Sequence, residues 1–302
     1  MKKRETRHVP VMLEEVLGAM RLREGMVIVD CTLGLGGHSC EILKRIGTNG
    51  RLIGIDFDPA NIAVARERLG KIARNFSLHH GNFAGIMQVL MAEGIERVDG
   101  VLADVGVAST QIDDPARGFS YKRAGPLDMR MDPTRGQPAS ALIARMSEED
   151  LAEAILELGD ETDAAAIARL IVERRAEEPI VTTEQLMAIV CEARDFTLVR
   201  AAGAKLHPAA RTFQALRILV NRELANLENL LRVMPDVLKP RGTAVIISFH
   251  SGEDRRVKKA FKEGERAGVY AGISEEAVTA TADEIECNPR SRSAKLRWAR
   301  RA

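Results

Sequence analysis

The stretch Val27-Ile-Val-Asp30-Cys-Thr-Leu-Gly34-Leu-Gly36-Gly37-His38-Ser39 reads as a buried strand, a glycine-rich turn and the start of a helix. Glycines in such a turn tolerate positive φ and let backbone N–H groups come close to a ligand. Four more short runs rich in Val and Ile follow, at residues 51–55, 76–79, 100–105 and 243–248. Helical patterns at 39–46, 59–72 and 84–93 separate the first four runs, and another at 13–20 precedes them. Strands alternating with helices predict a parallel, doubly wound α/β sheet. Residues 294–299 are expected to add a last strand.

The alternation stops after the fourth strand. Residues 113–137 are rich in Pro, Gly, Asp and Arg and read as an ordered loop, and helical stretches follow at 147–158, 163–176 and 183–194. A long helix is expected over 209–233, because Phe213, Leu216, Val220, Leu224, Leu227 and Leu231 recur at three- and four-residue steps. The expected organisation is therefore a first sheet segment over 1–112, a helical insertion over 113–206 and a second sheet segment over 207–302. The 302 residues are 45% apolar and 29% charged, ordinary for a globular protein. No apolar run approaches the roughly 20 residues that span a bilayer, and the basic start is not a secretory signal, so the cytoplasm is the expected location. Cys31, Cys40, Cys191 and Cys287 show no metal-ligand spacing; they are read as reduced thiols, and no metal is expected.

Two cofactors compete for a glycine turn on a first strand. A dinucleotide site has the form GxGxxG, whereas this turn reads Asp30-x-Thr32-x-Gly34-x-Gly36-Gly37 and lacks the third glycine. An acid at the strand end, Asp30, suits a cationic ligand better than a diphosphate. S-adenosylmethionine is such a ligand. Asp56 stands at the end of the second strand, about twenty positions past the turn, where ribose hydroxyls are bound. Phe83 would face adenine, and Asp104 ends the fourth strand where the methyl group would emerge. Each residue alone has a plainer reading as turn, core or cap; their coincidence at successive strand ends favours the cofactor.

Longer signatures cover most of the chain. They include His8-Val-Pro-Val-Met-Leu-Glu14, Asp104-Val-Gly106-Val-Ala-Ser109-Thr-Gln111, Gly125-Pro-Leu-Asp128-Met-Arg130-Met-Asp132 and His207-Pro-Ala-Ala-Arg211-Thr-Phe213-Gln214. Ser248-Phe249-His250-Ser251-Gly-Glu253-Asp254-Arg255 and Asn288-Pro-Arg290-Ser-Arg292-Ser-Ala-Lys295-Leu-Arg297 complete the set. In these motifs the chain resembles the MraW/RsmH family of bacterial ribosomal RNA small-subunit methyltransferases. The resemblance implies a class I, Rossmann-like S-adenosylmethionine-dependent methyltransferase sheet interrupted by an all-helical recognition domain. It implies methyl transfer to N4 of a decoding-centre cytidine in 16S rRNA. Cofactor contacts carry over to Gly36, Gly37 and His38, to Asp56, Phe83 and Asp104, and to Gln111, the last from the resemblance only. Thr110 stands where the family usually has proline, and Thr162 where it has arginine.

The exocyclic amine of cytosine is a weak nucleophile, so catalysis needs in-line placement and an acceptor for its N–H. Asp104, or a backbone carbonyl within 105–108, is the expected acceptor. His250 is a substrate contact or a proton carrier, or else part of a cap formed by Ser251 and Asp254. The proton can leave to solvent, so no general base is required. Arg211, Gln214, Arg217 and Asn221 align beside the apolar stripe of the long helix, and Arg290, Arg292, Lys295 and Arg297 form a basic C-terminal cluster. These eight are candidate RNA contacts, although ion-paired helix edges and a solvated tail would give the same pattern. The expected partner is 16S rRNA in the small subunit, with no DNA or membrane; the oligomeric state, a homodimer included, is left open. Alternatives are an amino-methyltransferase for another nucleic acid or a small molecule, an S-adenosylmethionine-binding assembly factor and, most distantly, a nicotinamide dehydrogenase.

Overall fold

The computed structural model describes residues 10–204 and 206–302, so His8, Val9 and the basic N-terminal residues lie outside the described residues. The chain divides into two compact units, one of residues up to Gly106 with Leu224–Ala302, the other Val107–Glu223.

The first unit holds an eight-stranded sheet: β1 (Val27–Asp30), β2 (Arg51–Asp56), β3 (Phe76–His80), β4 (Val98–Asp104), β5 (Leu238–Ser248), β6 (Tyr270–Ile273), β7 (Val278–Thr279) and β8 (Lys295–Arg301). The order is β3-β2-β1-β4-β5-β8-β6, with β7 also on β8. The first five strands are parallel; β8 runs antiparallel to β5, β6 and β7. The doubly wound sheet is thus as expected, and β6 and β7 are additions. Their short, partly exposed sequences carry neither a sustained apolar run nor alternation, which is why no strand is expected there.

Both faces of the sheet are covered, and the pleat sorts the side chains. Val29, Ile53, Val101 and Ile246 enter one core with Leu230, Met234 and Phe261. Their neighbours Ile28, Leu52, Leu102 and Val245 enter the other, with Ile42, Leu43 and Leu17. Side chains alternate across a strand, so a strand buried on both faces reads as a continuous apolar run. The direction of winding reverses at β1, between β2 and β4. Ligands of open α/β sheets bind at the carboxyl ends of strands at such a switch point.

The second unit is helical, with its own core around Phe119, Ile155, Ile167, Leu186, Phe213 and Leu216. Its main helices are Glu148–Gly159, Ala164–Glu177, Thr183–Ala193 and Ala210–Asn221. Ser147 caps the first by accepting from Asp150 N, and Thr182 caps the third in a box with Gln185. The long helix expected over 209–233 is two helices, Ala210–Asn221 and Glu223–Val237, broken where Arg222 turns left-handed at φ 52°. The first buries Phe213 and Leu216 in the helical unit, the second Leu227, Leu230 and Met234 in the sheet unit. The helical unit accordingly extends past 113–206 in both directions. Two amphipathic helices in register present one apolar stripe, and no glycine or proline marks the break.

Candidate active site

The glycine turn is threaded between the ends of β2 and β4. Asp30, the last residue of β1, pairs in register with Gly54 and Leu102, so Asp56 and Asp104 each end two residues beyond it. Leu33 N donates to the Ile55 carbonyl and Gly34 N to Asp56 Oδ2 at 2.6 Å, tying the turn to β2. Asp104 N donates to Thr32 Oγ1 at 2.6 Å, tying it to β4. Gly36, at φ 77°, precedes helix Gly37–Ile46 in a left-handed conformation that an L side chain rarely adopts. A Cβ on Gly37 would lie 2.7 Å from Pro10 Cγ, so this position admits no side chain without a shift.

Asp30 plays a different part from the one its sequence position suggests. It is 1% exposed, Ser39 Oγ donates to its Oδ2 at 2.6 Å, and Thr32 N donates to its Oδ1. Burial pushes its carboxyl above the usual range, against those two hydrogen bonds. Asp30 therefore anchors the turn to the helix start.

Asp56 is the last residue of β2 and is held from within the chain. Asp58 N and Asn61 Nδ2 donate to Oδ1, and Gly34 N donates to Oδ2. Burial outweighs these bonds and pushes its carboxyl up to about 6. Phe83 opens a 3-10 turn, Phe83–Gly85, after β3; Asn82 Oδ1 caps it by accepting from Ala84 N, and the ring is partly buried against the core.

His38 and Asp104 meet at the switch point, Nε2 to Oδ2 at 3.7 Å. Among the described residues, both ring nitrogens of His38 and Oδ1 of Asp104 are buried without a hydrogen-bond partner. Leaving a buried polar atom unpaired costs about 1–3 kcal/mol, so three together mark a place built for a polar ligand. The amino and sulfonium groups of S-adenosylmethionine have the chemistry to satisfy them, and Asp56 and the N–H groups of the turn suit its ribose and carboxylate. The residues present thus fit the cofactor.

His250 follows β5 and stands at the N-cap of helix Ser251–Arg266. Its Nε2 is buried, 3.2 Å from Glu253 Oε1 without hydrogen-bond geometry. Glu253 Oε2 accepts from the N–H groups of Phe249 and His250. The cap is therefore His250 with Glu253, one residue earlier than the Ser251–Asp254 pairing expected. Gln111 belongs to the helical unit, in helix Ser109–Asp113, where its Oε1 accepts from Ala108 N.

Most of the basic and polar residues expected to face RNA are engaged within the protein. Arg217 holds Glu223 through two hydrogen bonds at 2.8 and 2.9 Å. Asn221 is buried and bonds Met131 N and the Met129 and Arg217 carbonyls, pinning the loop that contains Asp128 and Arg130. Arg211 donates to the Asp160 carbonyl and Gln214 to that of Leu158. Arg297 is 4% exposed, with its Nε 2.6 Å from Asp254 Oδ1, and Lys295 lies 3.4 Å from the same carboxylate. Arg290 and Arg292, on the turn Pro289–Ser293, are the exposed members. Asp254, as the partner of Arg297, is the residue that sequence reasoning missed.

Residues 5–302 match the model of the MraW methylase family. The ribosomal RNA small subunit methyltransferase H of Sorangium cellulosum is 46% identical over 99% of this chain and 92% of its own length. The proteins of that name from Koribacter versatilis and Nitrosospira multiformis are each 44% identical, over 97% and 98% of this chain and 94% and 97% of theirs. With a family match over nearly the whole chain and relatives above 40% identity at near full length, the chain belongs to the MraW methylase family, and its cofactor is S-adenosylmethionine.

Proposed function

We propose that this chain transfers a methyl group from S-adenosylmethionine to N4 of a decoding-centre cytidine in 16S rRNA of the small ribosomal subunit. The observation that carries the reading is the buried, unpartnered group of His38 and Asp104 atoms at the switch point, in a chain whose relatives are named as small-subunit RNA methyltransferases. When bound, the cofactor supplies a methyl group on a cationic sulfur and leaves as S-adenosylhomocysteine.

The protein's part is placement and polarity. Asp104 accepts a hydrogen bond from the N4 amine, which draws electron density onto a nitrogen whose lone pair is otherwise spread into the ring. The backbone carbonyls after Asp104 are the second candidate acceptors. The proton that N4 sheds passes to Asp104 or directly to solvent, so His250 need not act as a base. Full activity of Asp104→Ala at saturating cofactor would refute this assignment.

The test of the reading is methyl transfer from labelled cofactor to unmodified 30S subunits, naked 16S rRNA and duplex DNA in parallel, with nucleoside mass spectrometry of the products. N4-methylcytidine from the subunits is expected. Labelled DNA would make the chain an amino-methyltransferase of another class. No label in any arm, with cofactor still bound, would make it an assembly factor.

A further inference from the structure

Aromatic residues are few in the sheet unit, and their places in the fold separate them. Phe261 and Tyr270 pack edge to face in the core with centroids 5.7 Å apart. Phe76 starts β3, at the edge away from the site, and Trp298 lies within β8 under Arg300. Phe57 and Phe83 follow β2 and β3, on the Asp56 side. Among the described residues of this unit, Phe249 is the aromatic that follows directly on the ends of β4 and β5.

Its position is set by the strand pairing. Asp104 is level with Ile247, and Val105 N donates to the Ile247 carbonyl at 3.0 Å. Gly106 and Phe249 therefore continue two adjacent strands, each two residues beyond that level. Gly106 sits at φ 115°, and a Cβ there would lie 3.5 Å from Phe249 Cδ2. Gly106 therefore puts no side chain against the ring, which is half-buried. Phe249 packs partly against the core, and Glu253 Oε2 accepts from its N–H at 2.8 Å, which fixes the backbone that carries the ring.

We propose that Phe249 is the stacking wall for the target cytosine, one strand over from the acceptor Asp104. This deepens the function proposed above and rests on it. A base taken out of its RNA loses its neighbours' stacking, and an aromatic ring replaces that contact while fixing the base plane. Fixing the plane decides the direction in which the N4 lone pair points, which in-line transfer requires. A side chain at Gly106 would be strained at φ 115° and would lie against the ring.

The test compares Phe249→Leu and Phe249→Tyr in the full chain, with unmodified 30S subunits as substrate and wild type alongside. Leucine keeps the apolar packing and loses the aromatic face; a drop of about 10- to 100-fold in kcat/KM is expected from the loss of base–aromatic stacking. Tyrosine recovers most of that loss. The cofactor dissociation constant, measured by calorimetry, stays at the wild-type value in both variants. Wild-type rates in the leucine variant, or equal losses in both, overturn the proposal, the second outcome showing a role in packing alone. A wild-type enzyme that methylates no cytosine overturns the parent reading and this inference with it.

Discussion

Asp56→Asn should flatten the acid-range pH dependence of stability and weaken cofactor binding, for one physical reason. The folded protein pushes the Asp56 carboxyl from 3.8 up to about 6, because burial outweighs the hydrogen bonds from Asp58 N, Gly34 N and Asn61. A carboxyl with a raised folded-state pKa favours the fold while protonated, and that contribution is lost as pH rises from 3.8 through about 6. Between about pH 4 and pH 7 the loss amounts to about 2 kcal/mol. Asparagine cannot ionise, so the stability difference between variant and wild type should shift by that amount in the variant's favour over this interval. Any fixed cost of turning the amide toward Gly34 N–H is the same at both ends and drops out of the comparison. In the proposed role of Asp56 as ribose acceptor, cofactor binding reverses the preference: two hydroxyls donating to a carboxylate would lose about 3 kcal/mol when the charge is removed, roughly 100-fold in affinity. Wild-type affinity should also weaken on acidification below about pH 6, as Asp56 takes up its proton. Denaturant titrations of the cofactor-free proteins at the two pH values, with calorimetry of cofactor binding, measure both effects. Parallel pH profiles for the two proteins, or undiminished cofactor affinity in the variant, would refute the reasoning.

Two further outcomes separate structural from RNA-facing arginines. Arg297→Met should lower stability by about 2–3 kcal/mol, less than a fully orphaned buried charge would cost because Lys295 still faces Asp254. Burial pushes Asp254 up, but Arg297 and Lys295 outweigh it and hold the carboxyl low. The wild-type pair's contribution is therefore present above the unfolded value and fades as pH falls through the folded one, which unfolding curves of the two proteins at neutral and acid pH would show. Arg292→Glu, at an exposed position, should leave melting unchanged, weaken binding to small-subunit RNA several-fold and lower the salt slope of log affinity by about 1 or more. An unchanged slope in filter binding would remove Arg292 from the interface.

The sheet was legible because it depends on local pattern. Runs such as residues 52–55 are without polar alternation, which only a strand covered on both faces tolerates, and Leu52 and Ile53 do enter opposite cores. Asp30, Asp56 and Asp104 were placed at strand ends by the same runs. The role of Asp30 was not legible, because the difference between a ligand contact and a turn anchor lies in Ser39, one helical turn into the next element. The break at Arg222 was hidden for a related reason: the helix period continues across it, while the partner surface changes from one core to the other.

The arginines show where pattern reading ends. A run of basic residues suggests a polyanion, and on that ground Arg297 is expected to face RNA. β8, however, lies between β5 and the short strands β6 and β7 and is covered on both faces, so Leu296, Arg297 and Ala299 are all buried. A guanidinium in that position must be paired, and its partner comes from a helix 43 residues earlier in the chain. Arg217 and Asn221 follow the same logic at the end of their helix, where Glu223 and the carbonyls of Met129 and Arg217 lie close enough to satisfy them. The exposed Arg292 of that cluster occupies a 3-10 turn with no hydrophobic period to misread. Charge that recognises a polyanion has to be unspent within the fold, and that is a property of tertiary pairing which residue type and spacing do not encode.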